Sequence, residues 1–347
     1  MRILIVGDPH GKITNIKVFR QFLEILLLVQ ERQAPDLVVI LGDLFDTHAI
    51  IRSEILNLWI RYLKRCKIRH ILLKGNHDEV GPKSSDHALG ALSAWATIAD
   101  EPLEVASVSY FSEGRGGLTE QDHAAARMVF LPYVDSPDKF QKMLEPYQPH
   151  GGQLLFCHQS FNGAKFHNGF YDPYGIPIEW VQNWKYVVVG HIHNGQELAN
   201  IWYPGTPLQH NFADSGEEKS LWLLDTVKME RTKIPVDLPG FVQKEFTSAG
   251  EVVGWLQQQD PRHAYKVVLS DTRSAIAALR ESQEYRDLRR KSRIEISSTY
   301  TDKALVQKIS DALTKEQMLQ EYIGKYLTTD LDRDRLLGLC QEFLRGI

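Results

Sequence analysis

Cysteine is scarce in this chain: three in 347 residues, at positions 66, 157 and 340. Thiols so few and scattered form no disulfide framework, which points to a reducing compartment, the cytoplasm. Long apolar runs are missing too. The greasiest stretch, Phe22 to Val29, already contains Glu24, and a membrane span needs about 18 uninterrupted apolar residues. Met1 to Val6 offers four apolar residues in a row before Gly7-Asp8, too few for the core of a secretion signal. Glycine (24) and proline (15) are too sparse for collagen or low-complexity disorder. Neither charge sign dominates, with 40 Lys and Arg against 44 Asp and Glu. A nucleic-acid partner would therefore have to be met by a local basic patch, by metal ions or through another protein. No internal repeat is found. These absences leave a soluble globular protein long enough for two domains.

What is present is a regular alternation. Short apolar runs at Ile3–Val6, Leu37–Leu41, Ile71–Leu73, Met128–Leu131, Leu154–Cys157 and Tyr186–Val189 read as buried strands. Between the first three, Ile16–Gln30 and Ile51–Cys66 carry Leu, Ile and Phe at helical spacing. The β-α-β-α-β order predicts an α/β fold with strands buried on both faces. From Asn200 to Val236 the pattern turns β-rich, with strands at Ile201–Tyr203, Leu221–Asp225 and Val227–Ile234. Pro235, Pro239 and Gly240 mark a domain boundary. Residues 241–300 read as a small α+β unit with a helix near Val252–Gln258, a strand at Ala264–Leu269, one charged helix and a strand at Ile294–Ser298. Everything after Thr301 reads as helix. The expected division is 1–240, 241–300 and 301–347.

Each early strand ends in a polar cluster, where function gathers in open α/β sheets. The clusters are Gly7-Asp8-Pro9-His10, Gly42-Asp43-Leu44-Phe45-Asp46, Gly75-Asn76-His77-Asp78, Cys157-His158 and Gly190-His191-Ile192-His193. Asp8 and His10, like His191 and His193, are expected to share one side of an extended segment. The glycines before Asp8, Asp43, Asn76 and His191 fit tight turns. Two Asp, one Asn and four His with no thiolate suit manganese, iron or zinc rather than a Cys-rich structural zinc. Seven donors are too many for one ion; with one bridging carboxylate they fit two ions that clamp a phosphoryl group. A single strand-end Asp or His usually caps a turn or sits satisfied in a core, but five clusters in this order argue against that reading for the set. Cys157, alternating with His158, should face the core.

Asp8-x-His10, Gly42-Asp43-x-x-Asp46, Gly75-Asn76-His77-Asp78, His158 and Gly190-His191-x-His193 resemble the five signatures of the calcineurin-like metallophosphoesterases. That resemblance implies a β-sandwich flanked by helices, followed here by a small α+β capping domain and C-terminal helices. Finer details are similar to the SbcD-type double-strand-break repair nucleases. Cys157-His158-Gln159 with Asn162-Gly163-Ala164 resembles their fourth motif, and Tyr203-Pro204-Gly205-Thr206-Pro207 their Tyr-x-Gly-Ser-Pro stretch. The short length and paired terminal helices look most like the small subunit of phage recombination nucleases.

The resemblance implies one ion on Asp8, His10, Asp43 and His193 and a second on Asp43, Asn76, His158 and His191, with Asp43 bridging and Mn2+ as the metal. It implies His77 as a phosphate-facing acid or electrostatic stabiliser, oriented by Asp46. Asp78 reads equally as a loop cap, and His48, His87 and His167 as supporting or surface residues. The implied activity is a manganese-dependent double-strand 3′-to-5′ exonuclease with single-strand endonuclease activity in DNA recombination and repair. The implied assembly is a homodimer working with an SbcC-type ABC ATPase, in the host cytoplasm if the chain is phage-encoded.

Two other readings compete. One is another phosphoesterase of the superfamily: a protein phosphatase, cyclic-nucleotide phosphodiesterase or nucleotidase. Protein phosphatases would continue Gly-Asp-x-x-Asp with Arg-Gly and place Glu after Gly-Asn-His, where this chain has Thr47-His48 and Asp78. The other is a non-catalytic DNA-binding scaffold, which has no need of all seven donors plus His77. Between Arg273 and Arg293 lie seven basic and three acidic residues; this is either a solvated helix face or a DNA-contacting patch around Arg289, Arg290 and Lys291. Thr314-Lys315-Glu316-Gln317 has capping-box spacing. It opens a helix carrying Met318, Leu319, Tyr322, Ile323, Tyr326 and Leu327, and a second helix presents Leu336, Leu337, Leu339, Cys340, Phe343 and Leu344. The resemblance makes this pair an ATPase-docking segment, in a helix-in-groove mode.

Overall fold

Ile3 and Ile5 of strand β1 (Arg2–Val6) face one hydrophobic core, while Leu4 and Val6 face another. Strand side chains alternate between faces, so a run apolar at every position needs a cover on both. Strands β2 (Leu37–Ile40) and β3 (His70–Leu73) repeat the pattern. Helices α1 (Ile16–Gln33) and α2 (Ser53–Arg65) form one cover, packing Phe19, Phe22, Leu26 and Trp59 with Leu4, Val38, Ile40 and Leu72. The other cover is a second sheet. Phe130 of β6 (Arg127–Leu131), Phe156 of β7 (Leu154–His158) and Val188 of β8 (Tyr186–Gly190) close on Ile3, Ile5, Val39 and Ile71. Helix α3 (Pro137–Leu144) covers that sheet's outer face through Phe140 and Leu144. Burial of each such side chain contributes about 1.5–3 kcal/mol.

The computed structural model describes residues 1–48, 50–81, 86–106, 127–147, 149, 153–166 and 169–302. Strands β4 (Thr97–Ala99), β5 (Leu103–Ala106), β9 (Gln196–Leu198), β10 (Ile201–Tyr203), β11 (Ser220–Asp225) and β12 (Glu230–Pro235) complete two six-stranded sheets. The first runs β12-β11-β1-β2-β3-β4, with β1 to β4 parallel, and the second β5-β6-β7-β8-β10-β9, with β6, β7, β8 and β10 parallel. This is the α/β architecture that the apolar runs imply, in the two-sheet form that the resemblance implies. Pairing of Val6 with Ile40, Ile40 with Leu72 and His158 with Gly190 brings the carboxyl ends of the parallel strands level within each sheet. Among the described residues no helix is long and apolar enough to cross a membrane.

One buried polar relay crosses the first helical layer. Gln30 Nε2 donates to Tyr62 Oη (2.8 Å), Tyr62 Oη pairs with His70 Nε2 (2.7 Å), and His70 Nδ1 reaches the Ile68 carbonyl at 2.8 Å. Every polar atom finds a partner only if His70 is neutral, with its proton on Nδ1. Burial agrees, lowering the His70 imidazole to about 4.

The described chain separates into two compact units: Met1–Gln243 with Asp260–Lys266, and Lys244–Gln259 with the chain from Val267 onward. The three-stranded sheet β13 (Phe241–Phe246), β14 (Ala264–Asp271) and β15 (Ile294–Tyr300) runs in that order. Helices α4 (Val252–Gln257), α5 (Arg273–Glu281) and α6 (Gln283–Lys291) belong to the second unit. Between Leu269 and Ile294 the sequence reads as one charged helix, and the structure has two. Ser282, at φ −62° and ψ 142°, ends the first and caps the second, its Oγ accepting from Tyr285 N–H. Val227–Ile234 likewise reads as one strand, but Thr226 to Met229 form a turn. There Asp225 Oδ1 accepts the N–H groups of Val227 and Lys228, and pairing resumes at Glu230. The expected C-terminal helices, with Cys340, lie outside the described residues.

Candidate metal centre

The turn after β2 does most to shape the site. Gly42 has φ +109° and Asp43 φ +49°, so two successive residues in left-handed territory swing the Asp43 carboxylate back over the strand ends. Only glycine takes the first of these conformations without strain. Asp78 fixes the turn from beneath: its Oδ1 accepts from Leu44 N–H (3.0 Å) and Phe45 N–H (3.3 Å), and its Oδ2 from Gly75 N–H (3.0 Å). Asp78 is thus a buried tie between the β2 and β3 loops, in the loop-capping role. A Cβ on Gly190 would lie 2.4 Å from the Leu41 carbonyl and 2.7 Å from Asp8 Oδ1. This close approach brings the second sheet's loop against the first sheet's.

The expectation that Asp8 with His10, and His191 with His193, converge along extended backbone is corrected. His10 has φ +41° and His191 φ +86°, so turns rather than strand alternation aim these side chains. Left-handed backbone costs a non-glycine residue about 1–2 kcal/mol. Three donors held that way indicate strain retained for a purpose. The His10 turn is secured by its N–H to the Asp43 carbonyl (2.9 Å), and that of His191 by its N–H to Asp8 Oδ2 (2.6 Å).

The structure brings all seven expected donors together. His10 Nε2 lies 3.1 Å from His193 Nε2 and 3.5 Å from Asp43 Oδ2. His158 Nε2 lies 3.4 Å from that same Asp43 oxygen and 3.0 Å from Asn76 Oδ1, which is 2.8 Å from His191 Nδ1. Asp43 Oδ2 therefore stands between a group of Asp8, His10 and His193 and a group of Asn76, His158 and His191. Asp8 Oδ1, though buried, has no hydrogen-bond partner among the described residues. His158 Nδ1 lies 2.7 Å from the Leu41 carbonyl, which places its proton there and leaves the Nε2 lone pair facing Asn76 and Asp43. Three triads have donor atoms within 4.8 Å of one another: Asp8, His10 and His193; His10, Asp43 and His77; and Asp8, Asp43 and His158. An orphaned carboxylate oxygen and converging lone pairs fit divalent cations.

The electrostatics agree. Burial pushes the Asp8 carboxyl up to about 8, with Asp43 adding to the rise and His158 opposing it. Asp43 resists the same burial and is held well below the usual carboxylate range by His158 and His10. Burial alone would lower His158, but Asp43 and Asp8 outweigh it and push the imidazole up to about 10. A dication would take over the work of that proton. Burial lowers His191 to about 4 and holds His10 well below its ordinary value, so both rings are neutral donors at physiological pH.

His77 sits beside these groups. Its N–H donates to Asp43 Oδ1 (2.8 Å), and its Nδ1 lies 2.9 Å from a carbonyl oxygen, that of Asp46. The role expected of the Asp46 side chain thus falls to its main chain. The carboxylate instead reaches Lys12 Nζ at 3.3 Å. His48 stacks on His77 with ring centroids 4.6 Å apart. His87 pairs with Asp100 (2.9 Å), and His167 lies outside the described residues. Cys157 is buried in the outer core of the second sheet, away from the donors.

Sequence reasoning missed His210. Its ring is 5.0 Å from that of His10 and 5.4 Å from that of His193. It is 7% exposed, and neither ring nitrogen has a hydrogen-bond partner among the described residues. Nothing in its spacing marks it; it follows the Tyr203–Pro207 stretch, and only the folding of that segment brings it to the centre.

Two sheets whose level strand ends gather Asp, Asn and His donors, Asp8, His10, Asp43 and His158 buried and the others half-buried, define a metallophosphoesterase. The chain belongs to the calcineurin-like phosphoesterase family, whose sequence profile matches residues 1–195. It is 29% identical over 358 aligned residues to the phosphoesterase-like protein 078R of Invertebrate iridescent virus 3, covering 99% of this chain and 96% of that one. It is 30% identical to protein 244L of Invertebrate iridescent virus 6, over 64% of this chain and 75% of that one. The SbcD component of the nuclease SbcCD from Staphylococcus epidermidis is 25% identical over 65% of this chain and 66% of its own length. Among solved structures, an archaeal phosphodiesterase overlaps 68% of this chain and all of its own with a TM-score of 0.35 and 13% identity.

Proposed function

We propose that this chain is a two-metal, manganese-dependent DNA nuclease, a double-strand 3′-to-5′ exonuclease and single-strand endonuclease serving DNA recombination and repair. The observation that carries the reading is Asp43 Oδ2, which is 3.5 Å from His10 Nε2 and 3.4 Å from His158 Nε2, a position suited to a bridging ligand. Asp8, His10, Asp43 and His193 would hold one ion, and Asp43, Asn76, His158 and His191 the other. Bound there, the ions would lower the pKa of a water and neutralise charge on the phosphoryl oxygens. The residues supply the rest. His77, its Nδ1 proton on the Asp46 carbonyl, presents Nε2 to the departing sugar oxygen as acid or electrostatic stabiliser. DNA as substrate, and an SbcC-type ATPase as partner of a homodimer, draw support from the 25% identity to a component of SbcCD. On this reading the 241–300 region caps the DNA through Arg289, Arg290 and Lys291, and residues 301–347 dock the ATPase. All three side chains are exposed, although Arg290 already pairs with Asp287 at 3.0 Å. The compartment is the cytoplasm, the host's if the chain is phage-encoded.

A second reading, another calcineurin-like phosphoesterase such as a phosphodiesterase or nucleotidase, draws support from the nearly full-length match to the viral phosphoesterase-like protein 078R. One assay separates them. The purified chain is incubated with manganese and labelled duplex DNA, single-stranded DNA, a para-nitrophenyl phosphodiester or the monoester. Cleavage of DNA and diester is expected. Turnover of the monoester alone would sink the nuclease reading.

A further inference from the structure

The loop after β7 leaves the centre and returns to it. Phe161, Ala164 and Ile176 anchor it in the outer core of the second sheet. Asn162 N–H bonds Ile176 O (2.9 Å), Ile176 N–H bonds Ser160 O (2.8 Å) and Asp172 N–H bonds Ala164 O (3.0 Å). Asp172 Oδ1 also accepts from Tyr174 N–H at 2.9 Å. On so firmly pinned a frame, large rings serving only the fold would point inward. Tyr171 and Tyr174 are instead 63% and 87% exposed.

Tyr174 is among the residues lining a cavity of about 180 Å3 that is also lined by Tyr133, Ser160 and His191. It therefore begins at the metal centre's own rim, where Tyr133 stacks on His191 with centroids 6.0 Å apart and an interplanar angle of 27°. Ser160 Oγ is buried there with no hydrogen-bond partner among the described residues. The charged residues of the lining are Asp135 and Asp172, which repel a phosphate but not a neutral ring.

We propose that this cavity is a nucleobase subsite. An unpaired base beside the scissile phosphate stacks on Tyr174 and meets the Ser160 hydroxyl at its edge. The inference rests on the nuclease reading for the position of the phosphate, but the stack itself does not require cleavage. Every base has a π-face, so such a platform is tolerant of sequence. A base stacked within a duplex has no free face to offer, so the subsite selects single strands and frayed ends.

The test is binding of dye-labelled oligomers to the full chain by fluorescence anisotropy, with EDTA present so that no strand is cut. Tyr174→Ala is expected to weaken binding of a thymidine oligomer about tenfold, within the range that one base–aromatic stack supplies. Affinity for an abasic oligomer of the same length stays unchanged, and Tyr174→Trp retains the thymidine affinity. Unchanged thymidine binding by Tyr174→Ala, an equal loss on the abasic strand, or a wild-type chain blind to the presence of bases would each overturn the subsite. Failure of the nuclease reading looks different: the wild-type chain then distinguishes thymidine from abasic strands but cuts neither when manganese is supplied.

Discussion

The imidazole of His77 hangs from the main chain of Asp46, its Nδ1 2.9 Å from the carbonyl oxygen. A carbonyl survives any side-chain replacement. Asp46→Asn is therefore expected to keep turnover within about tenfold of wild type, whereas His77→Ser lowers it by roughly 10²-fold or more. Manganese content per chain should be unchanged in both. A His77→Ser protein that loses manganese would make His77 a ligand, as its place in a triad with His10 and Asp43 permits.

Asp43→Ala removes the one carboxylate shared by both donor groups. Cleavage is expected to fall by more than about 10²-fold. Calorimetric titration should show both manganese sites weakened, not one. Selective loss of a single site would mean that Asp43 does not bridge.

Asp78→Ala leaves the N–H groups of Leu44, Phe45 and Gly75 without their buried acceptor. The expected cost is about 3 kcal/mol in urea unfolding. Activity should fall as well, because the Asp43 turn loses its support. Asp78→Asn, which keeps the shape and one acceptor, should lose less.

His70 gives the fold a dependence on pH that is separate from the centre. Its folded imidazole is lowered to about 4 from an ordinary 6.5. Between those values the unfolded chain binds a proton that the folded chain refuses. The contribution of neutral His70 is thus fully present above pH 6.5 and is lost as pH falls toward 4. At about 1.4 kcal/mol per unit it amounts to roughly 3 kcal/mol. Between pH 7 and 4.5, wild type should lose more stability than His70→Gln in denaturant melts. Parallel curves would show that His70 does not titrate in this window.

The parallel strands and the donors at their ends were legible because both follow from simple constraints. A strand covered on both faces is apolar throughout, and the chain turns polar where that cover stops, as at Val6-Gly7-Asp8 and Leu41-Gly42-Asp43. Less legible was how the side chains are aimed. Positive φ at His10, Asp43 and His191 is rare for such residues and depends on hydrogen bonds from other loops. A carbonyl carries no residue-specific signal, so nothing in the sequence points to the Asp46 main chain as the group that holds His77. His210 lacks any motif spacing. The break at Ser282 was different in kind: a serine ahead of Gln283 and Glu284 is an ordinary cap signal, masked there by the continuous charge of the segment.

The donors arise from both sheets: Asp8, His10, Asp43 and Asn76 from the loops after β1, β2 and β3, and His158, His191 and His193 from β7 and the loop after β8. Among the described residues no strand pairing joins the sheets. Side-chain packing through Ile3, Ile5, Val39, Phe130, Phe156 and their neighbours, with a few hydrogen bonds such as His158 Nδ1 to the Leu41 carbonyl and His191 N–H to Asp8 Oδ2, holds one sheet's strand ends opposite the other's. The centre is consequently a gauge of sandwich alignment. A slip of an ångström between the layers, too small to expose the core, already spoils the spacing between Asp43 and His158. Mild heat, denaturant or a cavity at Phe156 should therefore silence the protein while it is still folded.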